Sequence, residues 1–166
     1  MTQSSGKRLL VTGASGFIGS YFLRAVKARP LPEQITVLVR QPQAWIQALG
    51  YEQIVGDLND LPRFRQLLKK HDGVIHFAAQ YRVGVVNRQE MYRLNVEVVQ
   101  ALLEEARQRP QFELLHVSST AALGEVKAGL GDESQHHNGT FRSYYEQTKH
   151  IAHRLVQRSA QDGCAI

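Results

Sequence analysis

The 166-residue sequence predicts an α/β domain, a doubly wound parallel sheet with helices on both faces. Three observations predict it. Short apolar runs alternate with segments of helical period along the whole chain. The apolar runs are rich in Val, Ile and Leu, as strands buried on both faces are. The first run ends in a glycine-rich turn that opens directly into an amphipathic segment.

Each element follows from its residues. Arg8 to Thr12 (RLLVT) is the first strand, and Gly16 to Arg29 is a helix with Phe17, Ile18, Phe22, Leu23 and Val26 at helical spacing, stopped by Pro30. Ile35 to Val39 is the second strand, followed by a short helix from Gln43 to Leu49 that Gly50 closes. Gln53 to Val55 is a brief third strand. Asp60 caps a helix that takes Pro62 in its first turn and runs to about Lys70. Gly73 to Ala79 (GVIHFAA) is the fourth strand. Gln89 to Arg109 is one long helix, with Leu94, Val98, Ala101, Leu102 and Ala106 on a single face and Pro110 at its end. Phe112 to Ser118 is the fifth strand, and a loop rich in Gly, Asp, Asn and His follows from about Gly124 to Thr140. Arg142 to about Ala160 is the last helix, and Cys164-Ala165-Ile166 reads as the opening of a sixth strand. There is no internal repeat or linker, so residues 1–166 are one domain.

Composition narrows the function. The chain is 43% hydrophobic and 21% charged, as soluble globular proteins are. Met1 to Arg8 is polar, unlike a signal peptide, and no apolar run approaches the ~20 residues of a membrane span. The single cysteine, Cys164, excludes an intrachain disulfide and fits a reducing, cytoplasmic setting as a small core residue. The net charge is +5, but the cations are scattered, with no aromatic-interleaved patch and no zinc-finger spacing, so nucleic acid is not the expected partner. No metal site is expected either. His136-His137 lies in a loop, and His150 and His153 lack cysteine or carboxylate partners.

The turn Thr12-Gly13-Ala14-Ser15-Gly16-Phe17-Ile18-Gly19 is suited to a pyrophosphate. Gly13 permits a tight exit from the strand, Gly16 lets backbone approach a phosphate, and Gly19 lets the helix pack closely. The helix N-terminus adds free N–H groups and a partial positive charge. Gly13, Ser15, Gly16, Phe17, Ile18 and Gly19 are therefore candidate cofactor contacts in a Rossmann-type domain built for a nicotinamide dinucleotide. A tight turn without a ligand is the plainer alternative.

No Asp or Glu stands at Val39, Arg40 or Gln41, where a carboxylate would bind the ribose of NAD. Arg40 instead offers a guanidinium suited to a 2′-phosphate, which favours NADP over NAD. The alternative is a solvated arginine at a strand end. Asp57 could accept from the adenine amino group, with Leu58 against the ring, or serve only as a turn residue.

Tyr145 and Lys149 stand four apart on the last helix and share a face, whereas Tyr144 faces elsewhere. A phenol of pKa about 10 needs a neighbouring cation to exchange protons at neutral pH. Tyr145 would then be an acid/base, with Lys149 beside it. Ser118-Ser119-Thr120 ends the fifth strand, where parallel sheets place ligands, and offers hydroxyls to a carbonyl. Strand-end capping is the alternative there.

Together TGASGFIG (12–19), GDL (56–58), HFAA (76–79), YRLNVE (92–97), VSST (117–120), DE (132–133) and YEQTK (145–149) resemble the extended short-chain dehydrogenase/reductase family, of epimerase/dehydratase type. LVR (38–40), AAQYR (78–82) and EMYRLNVE (90–97) look most like its dihydroflavonol-reductase-like branch. The resemblance covers nearly the whole chain. It implies that Tyr145 is the acid/base, Lys149 its electrostatic partner and ribose ligand, and Thr120 the carbonyl-orienting hydroxyl, with Ser119 its rival. Ala78 and Ala79 would line the cofactor with backbone, Ser118 would join the cofactor contacts, and Asn95 would be structural or near the substrate. His76 is read as a packing residue.

The leading expectation is an NADP-dependent oxidoreductase acting on a carbonyl or alcohol. One alternative is a nucleotide-sugar epimerase or dehydratase that retains NAD(P). Another is a non-catalytic dinucleotide-binding or scaffold protein. The resemblance also implies a C-terminal substrate-binding region absent from this chain, so that the chain is truncated and does not turn over alone. A homodimer through helices 89–109 and 142–160 is expected, with Val99, Leu103, Ile151 and Leu155 among the outer residues, the alternative being that some of these pack on the sheet instead.

Overall fold

The computed structural model describes residues 6–81, 87–126 and 128–166. Five parallel strands, β1 (Arg8–Thr12), β2 (Gln34–Val39), β3 (Glu52–Val55), β4 (Gly73–His76) and β5 (Glu113–His116), form one sheet in the order β3-β2-β1-β4-β5. The helices are α1 (Phe17–Ala28), α2 (Ala44–Ala48), α3 (Leu61–Leu68), α4 (Arg88–Tyr92), α5 (Val98–Gln108) and α6 (Tyr144–Gln161). The doubly wound parallel sheet expected from the sequence is what forms.

Strand alternation divides the core. Leu10, Leu38, Val74 and Leu114 face α3, α5 and α6, where Phe64, Leu102 and Ala152 fill the layer. Val11, Val37, Val39 and Ile75 face α1 and α2 against Leu23 and Ile46. Each large side chain fully buried this way contributes about 1.5–3 kcal/mol. Cys164 packs, half-buried, against the first layer. Asp60 caps α3 by accepting from Arg63 N–H, with Pro62 in the first turn, as its sequence requires.

Four boundaries differ from the sequence reading. β4 stops at His76 rather than Ala79, because Gly13 turns β1 away and leaves no ladder partner beyond Thr12. β5 covers only Glu113–His116, since its partner β4 has ended. The long helix 89–109 is interrupted by a π-helical turn, Arg93–Glu97, between α4 and α5. Residues 164–166 form no strand, although Ala165 O accepts Leu114 N–H at 3.0 Å and so lies along the free edge of β5.

Two of the residues expected to face outward are also corrected. Val99 and Leu103 are 1% and 2% exposed inside the core, and Leu155 packs against the same cluster. α5 is gripped between α3 and α6, so it buries apolar residues on two sides and presents Gln100 and Arg107 outward.

Candidate dinucleotide cleft and active site

The sheet order reverses between β1 and β4, and a cleft of about 350 Å³ opens above their C-terminal ends. The turn after β1 lines it with Gly13, Ser15 and Gly16, and the end of β2 with Arg40. Asp57 and Leu58 close it after β3, and Ala78 and Ala79 after β4. Eight residues singled out in the sequence as cofactor contacts thus come together from four separate loops.

The turn itself is built for close approach. Gly13 has φ +71°, and a Cβ there would stand 2.5 Å from Ala78 N. A Cβ on Gly19 would lie 2.5 Å from Gly13 O, so this glycine seats α1 on the turn. A Cβ on Gly16 would meet only Gly13 O, at 3.2 Å, and otherwise open space. No side chain caps α1, and no acid stands in its first turn, so its positive end faces the cleft uncompensated. Asn59 Oδ1 and Gln80 Oε1, both of cleft-lining residues, are out of solvent and have no partner among the described residues. These features fit a dinucleotide: anion-ready backbone at one end and unsatisfied acceptors along the wall.

Individual expectations divide. Arg40 is exposed and makes no ion pair among the described residues. Asp57 Oδ1 accepts Asn59 N–H at 2.8 Å, so this carboxylate serves the turn while it also lines the cleft. Phe17 and Ile18 are 80% and 58% exposed and do not line the cleft. Ser118 does not line it either, and its hydroxyl bonds His153 Nδ1 at 3.0 Å. The reading of the sequence missed Asn59, Gln80, Tyr81, Glu90 and Leu94. Asn59 and Gln80 directly follow GDL and HFAA, and Glu90 and Leu94 stand four apart on a helix, so spacing was the available signal.

Tyr145 and Lys149 occupy one face of α6. The Tyr145 ring is half-buried and meets Tyr81 edge-on at 4.9 Å. Tyr144 instead lies beneath the Arg88 guanidinium. Lys149 is only 3% exposed, and its Nζ donates to Val117 O at 3.2 Å. Burial lowers its pKa to about 8. In the Ser/Thr run, Ser119 Oγ caps a single 3-10 turn by accepting Ala121 N–H, whereas Thr120 is exposed.

Asn95 fastens these parts together. From the π-helical turn, its Oδ1 accepts Gln80 N–H at 2.7 Å, and its Nδ2 donates to Gln80 O and Thr148 Oγ1, each at 3.0 Å. Thr148 donates to Tyr145 O at 2.9 Å. The loop that carries Ala78 and Ala79 is thereby tied to the helix that carries Tyr145 and Lys149. His76, buried at 1% exposure and bonded through Nδ1 to Thr12 Oγ1, has a polar partner as well as packing.

Residues 9–166 match the sequence pattern of the NAD dependent epimerase/dehydratase family. The chain is 32% identical over 163 residues to sterol demethylase protein B of Methylococcus capsulatus, covering 95% of this chain and 48% of that protein. It is 32% identical over 142 residues to a dTDP-glucose 4,6-dehydratase of Streptomyces niveus, covering 76% and 42%. A dihydroflavonol 4-reductase-like protein of Synechocystis is 27% identical, covering 92% and 45%. The chain thus spans about half the length of the curated relatives it matches. Among solved structures, the UDP-glucose 4-epimerase of Thermus thermophilus in complex with NAD superposes with a TM-score of 0.75 at 26% identity, over 93% of this chain and 51% of that one. The UDP-Glc/GlcNAc 4-epimerase of Campylobacter jejuni gives 0.77 at 23% identity, over 95% and 50%, and shares the fold. The family pattern runs through the strands, the glycine turn and the helix of Tyr145 and Lys149 alike, and this chain is a member of the NAD dependent epimerase/dehydratase family, within the extended short-chain dehydrogenases/reductases.

Proposed function

We propose that this chain carries the dinucleotide site and acid/base residues of an NADP-dependent oxidoreductase acting on a carbonyl or alcohol. The observation that carries the proposal is the placement of Tyr145 and Lys149 on one face of α6, with Lys149 held on Val117 O just past the end of β5. Gly13, Ser15, Gly16 and the first turn of α1 would hold the pyrophosphate, with Arg40 on a 2′-phosphate and Asp57 and Leu58 at the adenine. When bound, the dinucleotide gives or takes the hydride. Tyr145 gives its proton to the substrate oxygen as that oxygen gains charge, or removes it in the oxidative direction. Lys149, still mostly protonated at pH 7 with a pKa of about 8, stabilises the phenolate. Thr120, whose hydroxyl has no hydrogen-bond partner among the described residues while Ser119 Oγ is engaged, orients the substrate oxygen.

Comparing dissociation constants for NADPH and NADH tests the cofactor assignment. Tighter NADPH binding is expected, with Arg40→Asp reversing the preference by placing a carboxylate against the phosphate. Equal or tighter NADH binding by the unaltered chain would overturn it.

A second reading, a nucleotide-sugar epimerase or dehydratase that retains NAD, is favoured by the dTDP-glucose 4,6-dehydratases among the relatives and by the NAD complex of the Thermus epimerase. It uses the same Tyr145 and Lys149. Protein purified with NAD(H) that only denaturation releases would support it over the reductase. Either chemistry suits a small molecule reached from solvent. Among the described residues no helix is long and apolar enough to cross a membrane.

A further inference from the structure

A second cavity, of about 370 Å³, lies between α6 and the segment that follows β5, and it shares no lining residue with the dinucleotide cleft. His150, Arg154 and Gln157 line it from α6, at spacings of four and three that put them on one face. Ala122, Gln135 and His136 are among the residues that close it from the other side. That side is tied down. Gln135 Nε2 donates to Glu125 O at 3.1 Å, and Gly139 N–H donates to His137 Nδ1 at 2.9 Å. His137 Nε2 therefore carries the ring hydrogen and donates it to Glu146 Oε1 at 3.0 Å.

The polar groups of the cavity are mostly donors. Arg154 makes no ion pair among the described residues. Of its five guanidinium N–H groups one is engaged, on Gln157 Oε1 at 3.1 Å, and that bond leaves the Gln157 amide hydrogens free. No carboxylate lines the cavity. Glu146 also accepts Arg142 N–H at 2.6 Å, and Glu125 pairs with the Arg142 side chain, so these neighbouring acids are already engaged. The His153 pKa is pushed below its usual value by burial first, then by the charges that His150, Arg154 and Lys149 can carry. Against these donors stands one fixed lone pair. His150 Nδ1 must hold the ring hydrogen, because its partner at 2.9 Å is a carbonyl, Ala122 O. The ring also packs on His137 and Phe141, at 4.8 and 5.6 Å between centroids. Uncharged, it offers a lone pair at Nε2. Among the described residues no group of His, Cys, Asp and Glu is placed to hold a metal ion.

We propose that this cavity binds a phosphate group, with Arg154 and Gln157 donating to its oxygens and His150 Nε2 accepting its remaining P–O–H hydrogen. Several acceptor oxygens and one acidic hydrogen on the same ligand match several donors and one lone pair. Sulfate has the oxygens and lacks the hydrogen. The source is inorganic phosphate or a small phosphomonoester, which present the same group. The site stands apart from the oxidoreductase reading, since it uses none of the residues assigned to the dinucleotide or to acid/base chemistry.

Calorimetric titration of this chain at pH 7 with inorganic phosphate, phenyl phosphate and sulfate tests the site, with and without saturating NADPH. Phosphate or phenyl phosphate should bind saturably and shift the His150 ring signals in NMR spectra, and the tighter of the two identifies the source. Sulfate should bind about tenfold more weakly or worse, for want of the hydrogen. Arg154 is exposed, so Arg154→Gln should fold and lose about tenfold or more in phosphate affinity. His150→Asn keeps a donor for Ala122 O and removes the lone pair, and should erase the preference for phosphate over sulfate. Arg158, exposed on α6 outside the cavity, is the control, and Arg158→Gln should bind as the wild type does. Absence of saturable phosphate binding would overturn the proposal, as would equal binding of sulfate or full affinity in Arg154→Gln. An equal loss in Arg158→Gln would overturn it by showing only a diffuse surface charge. Loss of phosphate binding when NADPH is added would overturn it by moving the ion to the glycine turn.

Discussion

Lys149 carries an ammonium group into a place with little water and no offsetting carboxylate, and its pKa falls from 10.5 to about 8. Between those values the unfolded chain binds more protons than the folded one, so this group makes stability rise with pH from about 8 to 10.5. Below pH 8 the burial costs its full amount, roughly 3 kcal/mol at about 1.4 kcal/mol per pKa unit. Lys149→Met should therefore raise stability at pH 7 and have much less effect near pH 10. Urea unfolding of both chains at the two pH values checks this, and an equal gain at both would contradict it. The same substitution should weaken dinucleotide binding, because Lys149 would contact the ribose. Tyr145→Phe should do the converse in a form that turns over. Loss of the phenol proton should lower kcat by about a hundredfold or more and leave Kd for the dinucleotide nearly unchanged. Tyr144→Phe is the control. A loss of turnover confined to that variant would transfer the acid/base role to Tyr144.

At the scale of an element, the β1–α1 turn separates two uses of glycine. Gly13→Ala meets both a left-handed backbone at φ +71° and Ala78 backbone at 2.5 Å, and should destabilise the fold by about 2–4 kcal/mol. Gly16→Ala has open space apart from Gly13 O, so the fold should survive with less than about 1 kcal/mol lost. Its methyl would fill the phosphate approach instead, and dinucleotide affinity should fall. Denaturation midpoints and binding titrations on both variants separate the two effects; a Gly16→Ala chain with full affinity would show that no phosphate comes that close. The π-helical turn is a second such element. Asn95→Leu would leave Gln80 N–H and O without their partner and should cost about 2–4 kcal/mol. It should also loosen the cofactor loop.

For the whole molecule, three neutral imidazoles between the sheet and α6, His76 buried and His116 and His153 half-buried, make acid a threat. Burial holds His116 at about pKa 3 and puts His76 and His153 below their usual value. Below pH 6.5 the unfolded chain takes up protons that the folded chain refuses, so stability present above pH 6.5 is lost as pH falls towards 3. Midpoints of urea unfolding between pH 7 and 4 should drop steeply, and His116→Gln should flatten the slope. A chain equally stable at pH 7 and 4.5 would contradict the burial of these rings. The free edge of β5 is a second global feature. Leu115 is 53% exposed there, and among the described residues only Ala165 O is bonded along that side.

The apolar runs and their separation by helix-period segments already determined a parallel sheet, because a strand apolar on both faces needs a helical layer on each side. The glycine spacing determined the tight turn from β1 into α1, and the four-residue spacing of Tyr145 and Lys149 determined that they share a face. Tertiary structure alone decided where strands stop, since β4 ends when β1 turns away, a fact about the neighbour and not about FAA. It decided that Val99 and Leu103 are core, because α5 is clasped from two sides and a single-face reading of a helix does not show that. The π-helical turn was also hidden, as one extra residue in a helical turn leaves the apolar spacing intact on either side. The stacking of His76 on His116 and the bond of His153 to Ser118 were hidden as well. These residues are far apart in the chain, and only strand register and helix docking bring the partners together.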